Sequence, residues 1–143
     1  MFSAVLDTSV LWPSTQRDIL LSLAVENLVR PLWSNAILEE VRHTNLRKLL
    51  ARSVPLAKAE AHSARLIEQM CLAFDDAEVP HWETYEGTFR LPDFADEHVV
   101  AAALAGGAGA IATENLKDFL DRCLLVLRER YGMDEAVTML EEL

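Results

Sequence analysis

The sequence predicts an α/β protein, a mostly parallel sheet of four or five strands flanked by helices. Short apolar blocks at Ser3–Leu6, residues 31–33 and Ala110–Ala112 are strand-like. Longer segments between them repeat apolar residues at helical spacing, and the connections are short. Strand–helix alternation of this kind favours parallel strands covered by helices. At 143 residues, a single domain over 1–143 is the simplest organisation and is long enough for a core. The tail 121–143 is charged and helical in character. A break at Gly132 is expected, and a last strand near residues 136–138 stays open.

The first strand stops at Asp7 and is followed by the hydroxyls of Thr8 and Ser9, with Ser9 suited to cap the next segment. Residues 19–28 place Leu20, Leu21, Leu23, Ala24 and Leu28 in a helical pattern. Ser34 or Asn35 can cap a helix that turns Ile37, Leu38 and Val41 inward. The stretch 58–73 is Ala-rich and free of Gly and Pro, so it predicts a long helix. Residues 80–92 are poor in helix signals and predict a loop with room for one short strand. In "LPDFADEHVVAAALAGGAGAIATENLKDFL", Pro92 and Asp93 mark a helix entrance and residues 99–104 an apolar helix body. Gly106 and Gly107 stop that helix. Ala110–Ala112 is a compact strand, residues 113–115 a turn, and Leu116 opens another helix.

The chain carries 23 acidic and 13 basic residues, a formal charge of −10. That argues against a general nucleic-acid coat protein, which would be basic. It leaves a nuclease open, because carboxylates gathered at a metal site need divalent cations to offset them. A basic partner would also neutralise such a surface. No apolar block reaches the roughly 18 residues of a membrane span, and the N-terminus lacks a signal-peptide layout. The expectation is a soluble, cytoplasmic protein that makes no membrane contact. Cys71 and Cys123 form no CxxC pair and read as reduced structural thiols.

Ligands of open parallel sheets collect at the carboxyl ends of the strands. Asp7 lies at one such end and the 113–115 turn at another. Glu39, Glu40, Asp93, Asp96 and Glu97 are the further acids at helix starts and faces. Glu40 borders the inward stripe of its helix more closely than Glu39 does. Asp93 and Asp96, three apart, share a helical face or flank one helix start; Asp93 also suits an N-cap. Converging carboxylates raise one another's pKa unless a cation joins them. Mg²⁺ or Mn²⁺ answers that need, as hard cations take about six oxygen ligands. Such a site serves phosphodiester hydrolysis, where metals lower the pKa of water and stabilise charge on attacking and leaving oxygens.

Other chemistries fail on motif. There is no GxxxxGK[ST] loop. "GGAGA" at 106–110 follows a helix and reads as its stop. "DTS" lacks the second Asp of a DxDxT phosphatase turn. Histidines 43, 62, 81 and 98 show no zinc spacing, and His98 reads as structural. The basic stretch "VRHTNLRKLLAR" at 41–52 holds Arg42, Arg47, Lys48 and Arg52. It is either a solvated helix face or a contact to a phosphate backbone.

Four pieces in order resemble the PIN-domain family of metal-dependent nucleases, and most of all its VapC-type toxins. They are "VLDTSVLWPS" at 5–14, "RDILLSLA" at 17–24, "PLWSNAILEEV" at 31–41 and "LPDFADEHVVAAALAGGAGAIATENLKDF" at 91–119. The resemblance implies a catalytic set at the carboxyl edge of the sheet. Asp7 matches the first acid, Glu40 the second and Asp96 the third, with Asp93 its companion and Glu97 a lesser substitute. Asp7, Glu40, Asp93 and Asp96 would hold Mg²⁺ or Mn²⁺. Asn115 stands where many members carry a fourth Asp, which removes one charge; Asp118 is a candidate to restore it. Thr113 would orient a water, and Arg42, Arg47 and Lys48 would guide RNA. The resemblance further implies RNA cleavage, a cognate antitoxin laid across the groove with an Arg near the carboxylates, and a homodimer. The rival expectation, prompted by Asn115 and the net charge, is a catalytically weak or silent PIN-fold module that binds RNA or protein.

Overall fold

The computed structural model describes residues 2–93 and 96–114. Asn115, Asp118, Cys123, the helix expected from Leu116 and the tail lie outside the described residues. Three strands form a parallel sheet in the order β2-β1-β3: β1 is Ser3–Leu6, β2 Arg30–Leu32 and β3 Ala110–Ala112. Val5 faces Leu32 on one side and Ile111 on the other. The parallel bridge between Trp33 and Glu78 continues the sheet beyond β2. Among the described residues it is a single bridge and not a further strand.

The helices are α1 (Thr8–Leu11), α2 (Ser14–Val25), α3 (Asn35–Ala51), α4 (Leu56–Ala73) and α5 (Glu97–Gly106). Ser34 caps α3, its Oγ accepting from the Ile37 N–H at 3.1 Å, and Ile37, Leu38 and Val41 are buried as their spacing requires. α2 starts before the segment 19–28 and stops short of Leu28, because the chain turns at Asn27 with φ 59°. Leu28 is left exposed. Asn45, buried on α3, donates to the Ser63 hydroxyl of α4 at 2.9 Å, which fixes how the two helices pack. Within 80–92 there is a 3₁₀ helix, Trp82–Tyr85, in place of the short strand.

α5 is the central helix. Val99, Val100, Ala101 and Ala102 are buried, and its small residues let the backbone lie close to the sheet. A Cβ on Gly106 would stand 2.9 Å from Val79 Cγ2 and 3.3 Å from Leu32 Cδ1. Gly107 ends the helix at φ 61°, as glycine's freedom in the left-handed region allows. At the other end Asp96, not Asp93, holds the N-cap position. The Asp93 carbonyl instead accepts from the Asp96 N–H at 3.0 Å in the turn before the helix. No helix among the described residues is long and apolar enough to cross a membrane.

Candidate active site

Asp7 closes β1, and its N–H still bonds the Ala112 carbonyl of β3 at 3.0 Å. The next residues turn into α1, so the buried carboxylate is turned back on its own backbone and on β3. Oδ1 accepts from the Thr8 N–H at 2.7 Å. Oδ2 accepts from Ser9 Oγ at 2.9 Å and Thr113 Oγ1 at 2.8 Å. Ser9 Oγ also accepts from the Glu114 N–H at 3.0 Å, tying the end of β3 to α1. Ser9 is therefore no cap for a following segment. Asp7 caps α1, and Ser9 braces Asp7. Three donors on one buried carboxylate fix its orientation.

Thr8 reaches the other way, its Oγ1 donating to Glu40 Oε2 at 2.8 Å. The second Glu40 oxygen bonds Nε2 of His98 on α5. Glu40 thus joins α3 to α1 and α5 at the sheet edge. Glu39, on the neighbouring turn position, is exposed and paired with Arg42. Burial pushes the Glu40 carboxyl up, but the hydrogen bond and charge of His98, with the Thr8 bond, outweigh it and hold the group below the usual carboxylate range; Asp93 pushes it the other way. Burial likewise works against the charged form of His98, yet Glu40, Asp7 and Glu86 raise it above the ordinary imidazole value. Asp93 and Asp7 are therefore within electrostatic reach of this pair.

These shifts set a pH dependence for the metal-free protein. His98, raised on folding, contributes stability below its unfolded value near 6.5 and loses it as pH rises through the folded value. Glu40, lowered on folding, contributes above its unfolded value near 4.5 and loses it as pH falls through the folded one. The stability difference between wild type and His98→Gln, read from urea melts with chelator present, should therefore be greatest at about pH 4.5–6.5 and shrink towards pH 9. A difference constant with pH would contradict the charged pair.

Glu97 is fully buried. Its carboxylate accepts from the Phe89 N–H at 3.2 Å and the Leu91 N–H at 2.5 Å, which pins the loop carrying Asp93. That corrects its reading as a substitute ligand. Asp93 is exposed and Asp96 half-buried at the start of α5. Thr113 contacts Asp7 directly, so its hydroxyl orients the carboxylate rather than a water alone. Of Arg42, Arg47 and Lys48, only Arg47 lines the shallow groove that also contains Glu40, His43 and Thr44. Arg42 is bound to Glu39, and Lys48 lies in the field of Arg17 and Arg52. A roomier groove between α2 and α4, about 820 Å³, is lined by Leu21, Val25, Leu66 and Phe74 and has no part of the carboxylate edge.

Sequence reasoning passed over Thr8 and His98 as site residues. Thr8 was signalled by its place beside Asp7; nothing local signalled His98, which is 58 residues from Glu40.

The donor atoms are carboxylate and hydroxyl oxygens, which suit a hard divalent cation better than zinc. Asp93 acts on Glu40 as a like charge, a repulsion such a cation relieves. Among the described residues no three His, Cys, Asp or Glu side chains are yet close enough to enclose one. The oxygen donors fit such a cation in chemistry. Residues 3–117 match the family model described as PIN domain, and the chain belongs to that family. PIN domains are a nuclease fold whose members typically use divalent metals. No curated protein and no solved structure matches the chain.

Proposed function

We propose that this PIN domain is a metal-dependent endoribonuclease, the toxin of a toxin–antitoxin pair, acting on cytoplasmic RNA. The observation that supports it most is the linked pair at the sheet edge, Asp7 held by Ser9 and Thr113 and bridged through Thr8 to Glu40. Asp7, Glu40 and Asp96, with Asp93 beside them, would hold Mg²⁺ or Mn²⁺, and Asn115, placed by the family pattern, would complete the set. When bound, such a cation supplies Lewis acidity to the phosphodiester and a lowered pKa for the attacking water. The chain's own part is orientation. Ser9 and Thr113 fix the rotamer of Asp7, while Thr8 and His98 fix that of Glu40. The test is cleavage of a single-stranded RNA, expected with Mn²⁺ and absent with EDTA; equal cleavage with EDTA would overturn it.

Arg47 is the basic residue best placed to follow the RNA backbone away from Glu40. In Asp7→Asn protein, which would bind without cutting, Arg47→Ala should weaken RNA binding and reduce the log–log salt slope by about 0.7, the increment for one phosphate contact on a single strand. Fluorescence anisotropy with a labelled RNA over a salt series measures this; an unchanged slope places the RNA elsewhere. In the same reading a homodimer is silenced by a cognate antitoxin peptide whose Arg approaches Asp7 and Glu40. The rival, a PIN fold that binds RNA or protein without cutting it, is favoured by one observation. Both Glu40 oxygens are already engaged, by Thr8 and His98.

A further inference from the structure

We infer that His98 and Thr8 are positioning residues for the metal, a two-point brace that holds Glu40 in the orientation in which it ligates. This rests on the proposed metal-dependent reading. Glu40 projects from the middle of α3 on a side chain with three rotatable bonds, and its side chain is 43% exposed. Left alone it would sample solvent, as Glu39 does. Instead one oxygen is fixed by Thr8, directly after Asp7, and the other by His98 at the start of α5. The brace thus references Glu40 to the two segments that carry the other acids.

His98 is built for that single task. Its side chain is only 8% exposed, and its second ring nitrogen, Nδ1, is buried with no partner among the described residues. A buried imidazole whose polar contact is one carboxylate is costly unless that contact serves something. The ring packs edge-on against Trp82, with 6.1 Å between centroids. Trp82 is itself held by Asn35, at the head of α3, through a 2.9 Å bond from Nε1 to Oδ1. The neighbouring Glu97 fixes the backbone from which His98 projects. Each carboxylate oxygen has two lone-pair sites, so oxygens held by His98 and Thr8 can still face a cation. Hydrogen-bonded carboxylate ligands of this kind are common, and losing the partner costs roughly 10–100-fold in metal affinity.

The test is Mn²⁺ binding, by calorimetry and by electron paramagnetic resonance of free Mn²⁺, in wild type, His98→Ala, His98→Gln, Thr8→Val and Asp7→Asn. His98→Ala should weaken binding ~10–100-fold and Thr8→Val in the same direction. His98→Gln should restore it to within a few fold, since the Gln amide can donate from the position of Nε2. That rescue would not follow from a role in packing alone. Should His98→Ala give no melting transition, Thr8→Val and His98→Gln decide, because Thr8 is at the partly exposed start of α1. Binding lost in Asp7→Asn but retained at wild-type strength, or strengthened, in His98→Ala or Thr8→Val overturns the brace alone. A wild type that binds no Mn²⁺ overturns the metal-dependent reading, and the brace with it.

Discussion

Asp7→Asn should reduce metal-dependent RNA cleavage by at least ~100-fold, since loss of an outer hydrogen-bond partner already costs 10–100-fold and Asp7 is proposed as a direct ligand. The substitution keeps the shape of the side chain. The remaining carbonyl oxygen can still accept from the Thr8 N–H, and the Ser9 and Thr113 hydroxyls can rotate to accept from the amide. The fold should therefore survive with a loss of no more than about 1–2 kcal/mol. Gel analysis of RNA cleavage with Mn²⁺, alongside thermal melts of both proteins, separates chemistry from stability. A variant that melts like the wild type and cuts as fast would remove Asp7 from the mechanism.

Glu97→Leu should have the largest effect on stability. Glu97 has no exposed surface, and its two oxygens satisfy the N–H groups of Phe89 and Leu91. A buried donor left without a partner costs about 1–3 kcal/mol, so losing both acceptors should cost about 2–5 kcal/mol. For a chain of this size that lowers the melting temperature by roughly 10 °C. Glu97→Gln keeps one acceptor oxygen and should lose about half as much. Because the loop it pins carries Asp93, metal affinity should fall together with stability. Chemical denaturation of the three proteins measures the ordering. A Glu97→Leu protein as stable as wild type would mean that water replaces the carboxylate.

The parts of this molecule that were legible in the sequence are those set by local pattern. β1 and β3 are short apolar blocks ended by polar turns, and Asp7 and Thr113 stand at those ends because adjacent parallel strands in register finish together. Ser34 capping α3, the burial of Val41 and the glycine stop of α5 all depend on residues within one or two turns. What stayed hidden depends on contacts between distant segments. Glu97, beside Asp96 in the sequence, reads as a lesser substitute for it as a ligand. Only the return of residues 89–91 over it makes it a buried acceptor. His98 had no zinc spacing and was read as structural, because its partner Glu40 comes from another helix. Arg42 shows the reverse case. Its pairing with Glu39 three residues earlier is local and was available from spacing, yet the dense basic run drew it into the RNA path.

The Asn115 position, outside the described residues, makes the metal the central issue. If three acids and an asparagine suffice, the wild-type protein binds Mn²⁺ at a saturable site. The most direct measurement is a calorimetric titration of Mn²⁺ into wild type and Asp7→Asn, each first stripped of metal with EDTA and dialysed. The expected result is saturable binding to the wild type, weakened at least ~100-fold in Asp7→Asn. Indistinguishable isotherms for the two proteins, or no binding to either, would contradict a metal-dependent nuclease built on Asp7.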